Sequence, residues 1–179
     1  MRPSRGDWSE VDQLSARHAF GQRFYASSVP SPLLERGAQW AGPAARRSVA
    51  VLHHPRSASV VRRELSAHLA EHADRLGVDL LADAASVATE LVGNAINHAR
   101  PLAGGVILVD WQTYPRGLHI SVTDGGSPQS PQLRRVGPDS LTGRGLAIVA
   151  SLSARWGITP SGTGRCVWAW LGQVSRVAS

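Results

Sequence analysis

The chain has 179 residues, 42% of them hydrophobic, enough for one core of ordinary size plus an extension. Its net charge of +6 comes from 19 arginines without a single lysine, scattered except for Arg46-Arg47, Arg62-Arg63 and Arg134-Arg135, which argues against a nucleic-acid-binding face. One cysteine excludes an internal disulfide or a multi-cysteine metal site, and no apolar run suits a membrane span or a signal peptide, so a soluble cytoplasmic protein is expected.

Residues 1–46 read as an extension, partly disordered and punctuated by Arg, Ser, Pro and Gly. Trp8 and Trp40 are out of keeping with a fully solvated tail, which leaves docking of part of it on the domain or a partner as the alternative to the favoured plain disorder. The domain proper is placed at 47–172, with a short tail at 173–179. Residues 48–53 form an apolar run that reads as a strand. His53-His54 follows, but adjacent histidines on a strand point to opposite faces and would not share a metal easily. A helix is expected over 57–73. A longer one, over 80–99, has Asp79 as its N-cap and apolar residues recurring at three and four. Pro101 and Gly104-Gly105 end it. Residues 106–111 and 118–124 then read as a hairpin turning at 114–117. The long segment 127–142, broken by Pro128, Pro131, Gly137 and Pro138, has no regular pattern, and loops of that length in a small domain are usually functional or disordered. A helix opens at Gly143-Arg144-Gly145 and runs to Leu152. Two short strands, 156–158 and 166–171, close the domain around a turn at 161–164.

Three stretches carry chemistry. On the long helix, Glu90, Asn94 and His98 fall one turn apart and form a polar line beside the apolar face. Taken alone, that line is an ordinary solvated helix edge. It also suits a magnesium-phosphate site, with Asn94 offering a carbonyl oxygen and Glu90 accepting a proton from an attacking hydroxyl or water. Asp124 ends a strand and precedes Gly125-Gly126, where backbone can approach a flat ligand, and its carboxylate can accept from an exocyclic amino group such as that of adenine. It also reads as a plain turn aspartate. Gly143-Arg144-Gly145 before an apolar helix can cradle phosphate with backbone N–H groups and the helix N-terminus. It is not a Walker loop, since there is no lysine, and it does not directly follow a strand as a dinucleotide fingerprint would.

Together these motifs resemble the GHKL (Bergerat-fold) ATPase superfamily, and within it the bacterial anti-sigma-factor serine/threonine kinases. Residues 89–99, TELVGNAINHA, are similar to the N box of that branch, residues 143–149 to its second glycine box, and residues 164–169 to its closing strand. The resemblance covers about residues 47–171. It implies an α/β sandwich, with a mixed, largely antiparallel sheet, helices on one face and an ATP lid at 127–142. It implies ATP and Mg2+ as cofactors. Asn94 would ligate magnesium and Glu90 would be the catalytic base. Asp124 would recognise the adenine amino group, with Gly126 letting the base sit close. Gly143, Arg144, Gly145 and Leu146 would hold the phosphates, with Thr163 near the adenine. The implied partners are a sigma factor and a STAS-type anti-anti-sigma protein whose serine is phosphorylated, with a homodimer left open and no nucleic acid or membrane. Two departures stand out. Pro128 replaces the last glycine of the first glycine box, and Cys166 stands where a threonine often supports adenine. The rival expectation is a nucleotide-dependent binding module with little or no kinase activity. A stand-alone histidine kinase catalytic domain is a third, disfavoured by the lack of a recognisable dimerisation helix.

Overall fold

The computed structural model describes residues 45–115, 117–127, 144–162 and 164–172. The extension up to residue 44, residues 128–143 with most of the expected lid, and the tail from residue 173 lie outside the described residues. In chain order the elements are β1 (Ala45–Leu52), α1 (Ser57–Ala70), α2 (Ala73–Leu76), α3 (Val78–His98), β2 (Val106–Tyr114), β3 (Gly117–Asp124), α4 (Arg144–Leu152), β4 (Arg155–Ser161) and β5 (Gly164–Gly172). The strands form one sheet in the order β1-β2-β3-β5-β4.

Every neighbouring pair is antiparallel, so the expected mixed character is confined to direction: β3 and β4 run parallel but are separated by β5. A chain leaving β3 must therefore cross over before entering β4, and α4 lies within that crossover. Pro160 sits in β4, an edge strand, where a missing backbone donor costs no ladder bond to a further strand. β1 starts earlier than the apolar run alone suggests, because Arg46 and Arg47 continue its pairing with Gln112 and Trp111. Arg46 also donates to the buried Asp110 at 3.1 Å, and Arg47 reaches Glu64 of α1 at 3.3 Å.

Period-two alternation divides the sheet's side chains between its faces. Val49, Val51, Ile107, Val109, Trp111, Leu118, Ile120, Val122, Val167, Ala169 and Leu171 form one buried cluster with Val61, Leu65 and Leu69 of α1, the apolar side of α3, and Val149 of α4. The helices thus cover this one face among the described residues. His119, Ser121, Cys166, Trp168 and Trp170 alternate onto the other.

The long helix is the centre of the packing. Ala84, Val87, Ala88, Leu91, Val92 and Ala95 are all buried, at the spacing of one helical face. Truncating a core leucine such as Leu91 to alanine costs about 2–5 kcal/mol in comparable cores. The start of α3 differs from the sequence expectation. Gly77 is the N-cap, with φ 76°, and no side-chain cap bond is made; Asp79 lies inside the first turn. Its carboxylate therefore acts on the helix through the macrodipole instead of closing a backbone N–H. Among the described residues no helix is long and apolar enough to cross a membrane.

Candidate functional site

The C-terminal end of α3 and the exit of β3 are tied together by backbone. Gly125 N–H donates to the Arg100 carbonyl at 2.8 Å, and Arg100 N–H donates to the Gly126 carbonyl at 2.8 Å. His53 adds a third tie. Its Nε2 lies 3.1 Å from the carbonyl oxygens of both Ala95, which also accepts the Ala99 N–H, and Ala99, so one ring proton is shared by two carbonyls at the helix end. The histidine pair is thereby divided, with His53 on the helix end and His54 accepting from Arg56 N–H at 3.2 Å.

Asp124 stands at this junction with no exposed surface. Its Oδ1 accepts the Gly126 N–H at 2.8 Å, a turn that requires the φ of 78° glycine adopts there. Its Oδ2 accepts from Arg165 Nε at 3.2 Å. Burial pushes the Asp124 carboxyl above the ordinary carboxylate range, against the opposing pull of the Gly126 N–H, Arg165 and, more weakly, His53. The register explains Arg165. Asp124 pairs with Arg165 across β3 and β5, whereas Cys166 pairs with Thr123 and alternates to the far face of the sheet. The sequence expectation that Cys166 fills the adenine-supporting position is thus corrected, because a one-residue step along a strand reverses the face. Arg165 is the residue that sequence reasoning missed, and the strand register is the signal that finds it.

The second part of the site lies further along α3. Glu90 and Asn94 are half-buried and one turn apart, while His98 at the helix end is exposed. α4 packs on α3, and its glycine meets the acid. A Cβ placed on Gly145 would stand 2.7 Å from Glu90 Oε2, so any side chain here would make the carboxylate, the far end of Glu90, swing aside. Leu146 follows, packed against the core. The second glycine of the Gly-x-Gly motif is therefore brought to Glu90, at a helix N-terminus whose partial positive charge favours anions. Of the remaining expected residues, Gly143 and Thr163 lie outside the described residues, and Arg144 is described only as the first residue of α4. Glu90 lies about 13 Å along the helix axis from Ala99, beside Asp124.

Among the described residues no group of three or more His, Cys, Asp or Glu could hold a metal by itself. A magnesium ion that keeps waters and takes phosphate oxygens needs only one or two protein oxygens, which Asn94 and Glu90 can supply.

A family model described as a histidine kinase-like ATPase domain matches residues 52–170. No curated protein matches the chain. Among solved structures, the RsbU and RsbW domains of Rv1364c from Mycobacterium tuberculosis match with a TM-score of 0.54 at 22% identity, covering 73% of this chain and 32% of that one. At that identity the likeness is one of fold, and the chain spans about a third of that protein's structure.

Proposed function

Because the chain belongs to the histidine kinase-like ATPase domain family, we propose that it is an ATP-binding anti-sigma factor and protein serine kinase acting on a small anti-anti-sigma partner. The observation that carries this is the approach of Gly145, at the start of α4, to the Glu90 carboxylate. It sets a proton acceptor beside a helix N-terminus suited to phosphate, which is the pairing that transfer of a phosphoryl group to a hydroxyl needs.

In this reading Asp124 holds the adenine amino group and Gly126 admits the flat base. The backbone around 143–146 takes the phosphates. Asn94 would hold magnesium, which when bound neutralises phosphate charge. Glu90 accepts the proton of the substrate serine as its oxygen attacks the terminal phosphorus. The sigma factor would bind the nucleotide-loaded form, in the cytoplasm.

A second reading is a nucleotide-dependent binding module with little or no kinase activity. The ion pair that already engages Asp124 Oδ2, together with Pro128 in the glycine box, favours it. Incubation with labelled ATP, magnesium and the anti-anti-sigma candidates of the same genome separates the two. Label on a serine of one candidate supports the kinase. No transfer to any candidate, with a partner retained only when ATP is present, would leave the binding module standing.

A further inference from the structure

Arg165 is a cation enclosed in a nucleotide-binding domain, with a side chain only 9% exposed. A guanidinium has five N–H donors in a fixed planar fork. Its Nε donor is spent on Asp124 Oδ2, while its Nη2 is buried and has no hydrogen-bond partner among the described residues. A buried charged donor left unmade is costly, and native folds rarely keep one without use. Asp124 is not saturated by its two bonds, since an ionised carboxylate offers about four acceptor positions. The pair therefore presents an acceptor and a spare donor side by side on the same face of β3 and β5.

We propose that Arg165 is a second base-reading residue: Asp124 accepts from the amino group of the purine while Arg165 Nη2 donates to the ring nitrogen beside it. This rests on the nucleotide-binding reading given above and adds to it the residue that reads the acceptor half of the base edge. The fork geometry is what makes the pairing specific. Nη2 is held near Asp124 by the same rigid group whose Nε grips the carboxylate, so the two halves of the edge are read at a fixed spacing. A base with a carbonyl in place of the amino group loses the Asp124 contact. A base with carbon in place of the ring nitrogen loses the Arg165 contact. The carbon substitution removes only the Arg165 contact, whereas the carbonyl also turns N1 from an acceptor into an N–H donor, so the carbon-substituted analogues are the ones that isolate Arg165.

Calorimetry on the full chain with magnesium tests this, using ATP, inosine triphosphate, and ATP analogues carrying carbon at purine N1 or at N7. For wild type, one of the two carbon-substituted analogues should bind about tenfold to a hundredfold more weakly than ATP, the loss expected for a hydrogen bond from a charged donor. In Arg165→Met that penalty should vanish, while the part of the preference for ATP over inosine triphosphate that Asp124 sets persists. Arg165→Lys keeps a charge beside Asp124 but not the fork, and should shrink the same penalty. It decides by the same ratio if the methionine variant does not fold. Equal binding of ATP and both carbon-substituted analogues to wild type would overturn the inference while leaving nucleotide binding intact, as would a penalty unchanged in the Arg165 variants. No ATP binding at all would overturn the nucleotide reading and this inference together.

Discussion

A wholly enclosed carboxylate is tolerated only where its charge is answered, and at Asp124 it is answered twice, by Gly126 N–H and by Arg165. Asp124→Asn keeps the size but turns one acceptor into a donor facing the adenine amino group. ATP affinity should fall by about tenfold to a hundredfold, the worth of a charged acceptor at about 1.5–3 kcal/mol. Calorimetry giving unchanged affinity would remove Asp124 from the site. A second enclosed group lies on the far face of the sheet. His119 is 4% exposed, stacks on Trp168 with ring centroids 6.1 Å apart, and has no partner for either ring nitrogen among the described residues. Burial, aided by the charge of Arg46, lowers its pKa from 6.5 to about 4. The unfolded chain therefore binds the proton first as pH falls. The stability associated with neutral His119 is complete above about pH 6.5 and is lost on descent through about 4, by on the order of 3 kcal/mol in all. Urea unfolding at about pH 7 and about pH 5 should show a smaller loss on acidification in His119→Gln than in wild type. Equal losses would mean that His119 does not set this slope.

At the scale of elements, helices were legible wherever a three-and-four apolar spacing met a strong terminator, as in α3, whose observed end at His98 sits just before Pro101. Strand lengths were less legible. Arg46 and Arg47 carry no apolar signal, yet they extend β1 because their backbone pairs with β2 whatever their side chains do. The N-box helix and the Asp124 turn could be read from local pattern. The role of Arg165 could not, because it depends on which residue of β5 stands opposite Asp124, and register is a property of two strands. Nor could the contact between α3 and α4, which joins residues far apart in sequence. That contact has a direct test. Gly145→Ala puts a methyl carbon 2.7 Å from Glu90 Oε2, so the carboxylate or the start of α4 must shift. A displacement of that order costs about a hundredfold in a reaction that depends on alignment. Phosphoryl transfer should drop accordingly while the circular dichroism spectrum stays that of wild type, since both groups sit at the rim of the core. Full activity in this variant would separate Glu90 from the phosphate end of the site.

For the molecule as a whole, one helix serves as both core and site. The buried side of α3 anchors the sandwich, its C-terminal end is held by His53 and tied through Arg100 to the Gly125-Gly126 turn after Asp124, and its polar edge carries Glu90 to α4. In the proposed function binding and chemistry fall on neighbouring turns of one rigid element, which lets them be separated by substitution. Asn94→Ala removes an oxygen offered to the metal. It should weaken magnesium-ATP binding and, with it, every partner contact that needs the nucleotide. Glu90→Gln keeps size and hydrogen bonding but cannot accept a proton. ATP affinity should stay within a few-fold of wild type while transfer falls by roughly 10²–10⁴, the usual worth of a general base. Binding of the sigma factor should survive in the glutamine variant, because it calls only on the ATP-loaded form. Paired calorimetry and labelled-phosphate transfer on the two variants check this. If the glutamine variant phosphorylates its partner at the wild-type rate, the base is another residue. His98, two turns further along the same edge and exposed, is then the first to test. If neither wild type nor variant transfers phosphate, yet both retain a partner only with ATP, Glu90 is a structural acid beside Gly145 and the domain acts by binding alone.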